Sequence, residues 1–268
     1  MKKLLLSLGF LPLLLTSCNN GKGALTVTYF NVGKADAILI NYKDTNMVID
    51  TGTKDSSKYF IDSLKAKNIT EIDCLILSHF DQDHVGGAAE LLSNFKVKEI
   101  YQTYESDKVS SEIASYKMAL TKENITPTVV SEDFTYTLGD ITYNIYPPKS
   151  DSYSNSQSNN SSLCVKAIYD NTSFLFPGDA EKDRLKELMK QDIKADVLKV
   201  PHHGREEDNS KKFFTSVSAK YAIITDSLLE PADTSVINNL ELLKTSIYYT
   251  KNGDVIVTSN GVNINIKQ

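Results

Sequence analysis

Cysteine, arginine, histidine and tryptophan are all scarce in this chain of 268 residues, and the scarcities exclude several classes of protein. Three cysteines do not make a disulfide framework. Arginine occurs only at Arg184 and Arg205 and the formal net charge is −5, which is a poor profile for strong nucleic-acid binding through a basic face. A local lysine patch would still permit brief contact with a polyanion. A hydrophobic content of 41% and a charged content of 24% are typical of a globular protein, and the length suits one large domain or two small ones.

The first 18 residues resemble a bacterial export signal. A basic start precedes an apolar run, residues 4–15, that is too short to span a bilayer comfortably. Leu-Thr-Ser-Cys at residues 15–18 is similar to the lipobox, in which the cysteine is lipidated. An ordinary signal peptide or a weak membrane anchor is the alternative. We therefore expect a lipoprotein-type signal peptide at 1–18, lipidation at Cys18, a flexible tether at 19–24 and one domain at 25–268. The protein would be exported and held to the outer side of the cytoplasmic membrane by acyl chains.

All four histidines lie in two short segments: His79 and His84 in the first, His202 and His203 in the second. The first segment follows residues 72–77, whose apolar run predicts a short buried strand. The second follows residues 197–200, another predicted strand. Histidines with purely structural roles would have no reason to cluster in this way. The clustering therefore indicates a metal site at the ends of the two strands.

The first segment holds four potential metal ligands within six residues: His79, Asp81, Asp83 and His84. Residues two apart in an extended loop share a side, so alternate side chains can aim at one point. The adjacent Asp83–His84 pair can meet a second point nearby. Gly86 and Gly87 then allow the backbone to turn closely into a predicted helix. Histidine and aspartate at this spacing suit one divalent metal ion, or two.

This His-x-Asp-x-Asp-His pattern resembles the His-x-His-x-Asp-His signature of the metallo-β-lactamase superfamily. It is most similar to the branch that includes the soluble domain of the competence protein ComEC, which commonly has Asp where Asp81 lies. Other segments with the same resemblance are FNVGKADAILI at 30–40, MVIDTG at 47–52, Gly178-Asp179, and His202-His203-Gly204. The resemblance covers roughly residues 25–266 and implies an α/β fold, the four-layer αββα sandwich.

The resemblance also implies a role for each candidate residue. One metal would be bound by His79 and Asp81, and the other by Asp83, His84 and His202, with Asp179 between them. His203 could replace His202, and the sequence does not separate the two. Asp83 is also placed to manage a proton, and Asp50 would hold the metal loop in position. The first position has few ligands, so we expect weaker binding there. Its oxygen-rich ligands move the preference from zinc toward manganese, though only by degree.

Residues 151–162 form a Ser/Asn-rich segment that is predicted to be disordered unless a site orders it. Many members of the superfamily carry a third metal-binding histidine about here, but this chain and ComEC-like chains lack it. Asn160 is therefore a candidate site-lining residue that could complete the first metal position. The alternative is an asparagine that faces water.

The expected activity is hydrolysis by a metal-activated water, with a phosphodiester as the substrate and DNA as one candidate, by analogy with ComEC. Two departures from the family bear on the substrate. Glu206, Glu207 and Asp208 follow the second histidine segment and would repel phosphate. Residues 226–233 lack the usual His-Pro segment. The alternatives are hydrolysis of another ester, amide or lactone, and a binding protein that lost catalysis. A β-lactamase is disfavoured because no cysteine is placed as a ligand.

Two further features can be compared directly with the structure. Cys74 and Cys164 lie in apolar, strand-like runs and are interpreted as buried free thiols. The segment 107–124 is predicted to be a helix, with Met118 among its inward-facing residues.

Overall fold

The computed structural model describes residues 23–105 and 109–268. The predicted signal peptide, the lipidation at Cys18 and most of the predicted tether lie outside the described residues and stay predictions. No helix in the described ranges is long and apolar enough to cross a membrane.

Two β-sheets carry helices on their outer faces. The strands are β1 (Leu25–Tyr29), β2 (Ala37–Tyr42), β3 (Thr45–Thr51), β4 (Glu71–Leu77), β5 (Lys96–Gln102), β6 (Thr128–Val129), β7 (Phe134–Leu138), β8 (Ile141–Tyr146), β9 (Cys164–Tyr169), β10 (Thr172–Phe176), β11 (Val197–Lys199), β12 (Tyr221–Ile224), β13 (Ser246–Tyr249), β14 (Val255–Ser259) and β15 (Ile264–Lys267). The helices are α1 (Ser57–Ala66), α2 (Gln82–Val85), α3 (Ala88–Asn94), α4 (Ser111–Glu123), α5 (Gln157–Asn160), α6 (Lys182–Leu188), α7 (Ser210–Val217) and α8 (Thr234–Leu242), with 3-10 turns at Pro201–Gly204 and Thr250–Asn252.

The first sheet has the strand order β15-β14-β1-β2-β3-β4-β5-β6, and the second has the order β13-β12-β11-β10-β9-β8-β7. In the first sheet, β1, β2 and β3 pair antiparallel, whereas β3, β4, β5 and β6 pair parallel. In the second, β10, β11, β12 and β13 pair parallel. Parallel neighbours end at the same edge of a sheet, so the loops that leave them gather there.

Three apolar layers separate four layers of secondary structure, which confirms the predicted αββα sandwich. One layer, which includes Leu91, joins the first sheet to α1, α3 and α4. The second, which includes Ile76, fills the space between the sheets. The third, which includes Phe213, joins the second sheet to α6, α7 and α8. Burial of one such side chain contributes about 1.5–3 kcal/mol, so these layers fix how the sheets face each other.

Strand β4 shows why the central strands are continuously apolar in sequence. Leu75 and Leu77 pack toward the helices, whereas Cys74 and Ile76 pack toward the other sheet. Both faces are buried, as in other parallel sheets covered by helices. Cys74 and Cys164 are buried free thiols, as predicted.

Helix α4 forms where predicted and buries the predicted face, except at one residue. Ser110 caps its start by accepting a hydrogen bond from the Ile113 N–H at 3.2 Å, and Asn124 ends it in the left-handed region with φ of 54°. Met118 is 68% exposed, so its assignment as an inward residue is wrong. Ile113, Tyr116 and Leu120 face inward as predicted, and Ala119 joins them at the 3.6-residue spacing of one helical face.

The two ends of the sheets differ in character. The end at which β1 begins has the β2–β3 turn, where the Gly23 carbonyl accepts a hydrogen bond from the Tyr169 hydroxyl at 2.6 Å. Five strands finish at the other end: β3, β4, β10, β11 and β12. The polar residues described next follow these strands.

Candidate metal centre

The candidate centre is assembled from the carboxyl ends of strands in both sheets. Asp50 lies at the end of β3, and residues 78–84 leave β4 and enter α2. Asp179 follows β10, and His203 lies in the 3-10 turn after β11. Asp50 and His203 have φ of 56° and 53°, in the left-handed region that non-glycine residues seldom adopt. Such conformations persist only where surrounding contacts hold them, and they concentrate at functional sites.

Four side chains converge: Asp83, His84, Asp179 and His203 each place one donor atom within 4.8 Å of the others. Asp179 is central, because its Oδ1 is 3.3 Å from His84 Nε2 and its Oδ2 is 3.1 Å from His203 Nε2. Asp83 Oδ2 is 3.4 Å from His203 Nε2. The Asp83 side chain is 25% exposed and the two histidines are fully buried, so Asp83 lies on the solvent side. Imidazole nitrogens with carboxylate oxygens are a donor set that suits zinc or manganese. We call these four residues the four-donor group.

The tautomers of His84 and His203 are set by acceptors behind each ring. His84 Nδ1 is 2.8 Å from Asp50 Oδ2. His203 Nδ1 is 3.1 Å from the Thr225 carbonyl oxygen, which can only accept. Both rings therefore carry a proton on Nδ1. In a neutral imidazole this leaves the Nε2 lone pair directed at the carboxylates of the group, an arrangement that a cation between them would stabilise.

His79 is held in the same way. Ser78 Oγ donates to Asp50 Oδ2 at 2.6 Å and can therefore accept from His79 Nδ1, which is 3.0 Å away. Asp50 also accepts the Ser78 backbone N–H at 2.8 Å, so one carboxylate orients the start of the metal loop. The Nε2 atoms of His79, His84 and His203 are all buried without a hydrogen-bond partner. Because buried polar atoms are rarely left unsatisfied, these three nitrogens fit a site that holds divalent cations.

The protonation behaviour of the group points the same way. Burial disfavours the charged form of His84, but Asp179 and Asp50 outweigh this effect and raise the pKa of His84 well above its ordinary value. Burial also opposes protonation of His203, yet Asp179 raises its pKa. The pKa of Asp179 is held well below its ordinary value, against burial, by His203 and His84. The pocket thus keeps its carboxylate ionised and attracts positive charge.

His79 and Asp81 form a sparser pair beside the group. Burial and the nearby His84 lower the pKa of His79 to about 4, so its ring is neutral at ordinary pH. Its ring centroid is 4.0 Å from that of His84. Ser158 Oγ donates to Asp81 Oδ1 at 2.5 Å, and α5 places it there. Among the described residues, His79 and Asp81 join no set of three donors within 4.8 Å. His79 and Asp81 thus offer fewer converging donors than the four-donor group.

His202 does not join the four-donor group. His203 instead occupies the position beside Asp83 and His84 that the sequence analysis assigns first to His202. His202 Nδ1 is 3.2 Å from Glu207 Oε1 and 3.4 Å from Glu181 Oε1. The two histidines are consecutive left-handed residues with φ of 48° and 53°. The chain turns sharply there and separates the ring centroids by 6.4 Å. The assignment of His202 beside Asp83 and His84 is corrected to His203.

Asn160 is buried behind the site rather than lining it. Its Oδ1 accepts the Arg184 backbone N–H in the first turn of α6 at 3.1 Å, and its Nδ2 donates to the Asn155 carbonyl at 3.0 Å. Both ends of the amide are thus occupied in holding the segment and capping a helix, a need that helix starts share. The candidate site-lining role passes to Ser158, two residues earlier. Contacts with Asp81 and α6 order this part of the Ser/Asn-rich segment.

Asp36 and Lys199 support the centre but were not identified from the sequence. Lys199 Nζ lies 2.5 Å from Asp36 Oδ2 and 3.2 Å from Asp179 Oδ1, and its side chain is fully buried. Asp36 Oδ1 accepts the Thr225 hydroxyl at 2.7 Å, which links the loop after β1 to the acceptor of His203. The available signals were an aspartate in the FNVGKADAILI segment and a lysine inside an apolar strand.

The αββα sandwich and its strand-end cluster of histidines and aspartates are typical of one class of metal-binding proteins. A family model described as the metallo-beta-lactamase superfamily matches residues 31–224, and the chain belongs to this superfamily.

Two curated relatives are competence proteins. The chain is 29% identical to ComE operon protein 3 of Bacillus subtilis over 221 residues, which covers 74% of this chain and 28% of that protein. It is 22% identical to competence protein ComA of Neisseria gonorrhoeae over 205 residues, which covers 74% of this chain and 26% of that protein. The chain thus matches just over a quarter of the length of each.

A solved structure shows the same fold. The metallo-beta-lactamase fold protein YhfI from Bacillus subtilis superposes with a TM-score of 0.60 at 13% identity, covering 88% of this chain and all of that one. Both sequence and structure therefore confirm the family resemblance.

Proposed function

We propose that this protein is a metal-dependent phosphodiesterase that acts on an anionic substrate such as single-stranded DNA. The observation that supports it is the four-donor group, which places carboxylate oxygens and unpartnered imidazole nitrogens at one edge of the fold. Asp83, His84, Asp179 and His203 would hold one divalent cation, and His79 with Asp81 would hold part of a second. A bound divalent cation would lower the pKa of a water molecule and offset charge on the phosphoryl group.

Asp83 is the member of the group that is best placed to handle a proton. Burial favours its neutral form, but His203 holds the pKa of Asp83 far below its ordinary value, so the carboxylate is ionised and would take up a proton only from a water acidified by a bound cation. Its side chain is 25% exposed, which opens it to a substrate approaching from solvent. We assign it a second role, as acceptor of a proton from the attacking water.

Lys34 supports an anionic substrate. Its Nζ is 4.0 Å from Asp83 Oδ2, and its side chain is 17% exposed. A cation at the mouth of the centre would bind a non-bridging phosphoryl oxygen and favour phosphodiesters over neutral esters.

A groove of about 670 Å³ lies beside Glu207, which contacts His202. It is lined by four lysines, Lys182, Lys186, Lys211 and Lys212, together with Glu206, Glu207 and Asp208. Asp208 is paired with Lys182 at 2.7 Å, and Glu207 Oε1 lies 3.2 Å from His202 Nδ1. Pairing reduces the repulsion of phosphate that the sequence alone suggests, and the lysines offer contacts for further phosphates.

Hydrolysis of a neutral ester, amide or lactone is the second candidate. The scarcity of arginine favours it, because Arg184 is fully buried and donates to the Ser162 and Tyr146 carbonyls rather than to any substrate.

The test compares a chromogenic phosphodiester, single-stranded DNA and a chromogenic carboxylic ester, each with and without added Mn²⁺ or Zn²⁺. We expect metal-dependent cleavage of the first two, loss of it in His84→Ala and Asp179→Asn, and a raised KM for phosphodiester in Lys34→Met. Cleavage of the carboxylic ester alone would support the second candidate. Stoichiometric metal without turnover would indicate a binding protein, and full activity in His84→Ala would refute the site.

We also propose that the protein is a lipoprotein on the outer side of the cytoplasmic membrane. The basis is the Leu-Thr-Ser-Cys sequence at residues 15–18 after an apolar run. Mass spectrometry of the protein expressed in a bacterium should find acyl chains on Cys18, and Cys18→Ser should abolish them. An unmodified Cys18 in the mature membrane fraction would refute lipidation.

A further inference from the structure

Lys199 is a buried cation that the chemistry proposed above does not use. Its side chain is fully buried at the end of β11. The ammonium group contacts three oxygens: Asp36 Oδ2 at 2.5 Å, Asp179 Oδ1 at 3.2 Å and the Gly178 carbonyl at 3.2 Å. A lysine that is fully buried needs partners of this kind, and here one of them is the central carboxylate of the four-donor group.

The contact distinguishes the two oxygens of Asp179. Oδ2 faces His203 at 3.1 Å, whereas Oδ1 is shared between His84 Nε2 at 3.3 Å and the Lys199 ammonium at 3.2 Å. The ammonium therefore fixes the rotation of the carboxylate and competes with any metal for Oδ1.

We propose that Lys199 is a positioning residue that acts as an internal cation: it fixes the Asp179 carboxylate within the four-donor group and widens the difference in metal affinity between that group and the position at His79 and Asp81. The inference rests on the proposed metal centre but not on the proposed substrate.

The two positions depend on Asp179 to different degrees. Without Asp179, the four-donor group still has three donors, Asp83, His84 and His203. The other position would have only two, His79 and Asp81. A fixed positive charge on the carboxylate that both would share therefore disfavours the second ion more than the first. At an effective dielectric constant of about 20, charges about 4 Å apart interact strongly enough to change an affinity by well over tenfold.

The experiment is a calorimetric titration of the metal-free full chain with Mn²⁺ and with Zn²⁺, with a competing chelator for the tight ion. For the wild type we expect one tightly bound ion and a second bound at least about tenfold more weakly. In Lys199→Met the second ion should bind about tenfold more tightly or better, which narrows the gap between the two affinities. Lys199→Arg, which keeps the charge, should preserve the gap.

Lys166→Met is the matched control. Lys166 is also a buried lysine of the second sheet, 6% exposed, and pairs with Asp192 at 2.8 Å, away from the metal centre. Its substitution should lower the unfolding temperature without altering either metal affinity.

If Lys199→Met alone does not fold, the double variant Asp36→Asn/Lys199→Met tests the proposal, because removing both charges leaves no buried carboxylate without its partner. The amide can still accept the Thr225 hydroxyl hydrogen bond.

The proposal is overturned if the wild type binds two ions with equal affinity, or if the folded variant lacking Lys199 keeps the wild-type ratio of the two metal affinities. It is also overturned if Lys166→Met reduces that ratio as much as Lys199→Met does. Because no substrate is present, these outcomes are independent of whether the protein cleaves phosphodiesters.

Discussion

Replacement of Asp50 by asparagine should weaken metal binding although Asp50 is not a member of the four-donor group. The Asp50 carboxylate accepts from the Ser78 N–H, the Ser78 hydroxyl and His84 Nδ1, at 2.8, 2.6 and 2.8 Å. In Asp50→Asn, the oxygen can keep the backbone N–H, but the new NH₂ group would face two donors. His84 would relieve the clash by moving its proton to Nε2, which blocks the lone pair that a metal needs.

The expected loss is about 10–100-fold in metal affinity, which is typical when the partner of a metal-binding histidine is removed and corresponds to about 1.4–2.7 kcal/mol. Competition with a fluorescent chelator would measure it for Mn²⁺ and Zn²⁺, and circular dichroism would confirm the fold. Asp73→Asn is the control, because Asp73 also accepts a backbone N–H, that of Asn46 at 2.8 Å, but lies toward the other end of β4. An Asp50→Asn protein with wild-type metal affinity would refute the tautomer argument.

Four further outcomes are expected. His203→Ala should lose the tight metal ion whereas His202→Ala should retain it, as measured by metal content after dialysis; the reverse result would contradict the assignment. Metal affinity should fall as the pH is lowered, because Asp179 raises the pKa of His203 despite burial and protons compete for Nε2. The stability of the metal-free protein should depend on pH in the opposite sense. The stabilisation from protonated His203 is complete below about pH 6.5 and is lost as the pH rises through the raised pKa of His203, which denaturant titrations would show. Gly178→Ala should destabilise the fold by about 1–3 kcal/mol, because Gly178 has φ of +60° and a Cβ would lie 2.8 Å from Ser162 Oγ; an unchanged unfolding temperature would contradict this.

The sandwich itself was predictable because local signals and global pattern agree. The apolar run of β4 ends in polar residues where the buried strand ends, and the histidines follow strands in both halves. The sequence therefore indicated which strand ends meet. It could not distinguish His202 from His203, because that choice depends on two consecutive left-handed residues for which the sequence carries no glycine signal.

Partners distant in sequence set the remaining details. Asn160 appeared to be a polar loop residue, but its amide caps a helix through Arg184, 24 residues away. Lys199 lies within an apolar run. Its buried charge is accounted for by partners such as Asp36, which the fold brings from the first sheet. Met118 was misassigned because the weakly amphipathic sequence of α4 does not define its buried face.

Gly23 marks the end of the domain at which an upstream membrane anchor would be attached. Strand β1 starts beside the β2–β3 turn, so its first residue lies a full strand length, about 20 Å, from the end where Asp50 sits. A membrane anchor attached through the preceding residues would join the domain at the end opposite the four-donor group. A polymeric substrate could then reach the four-donor group without passing between the domain and the membrane.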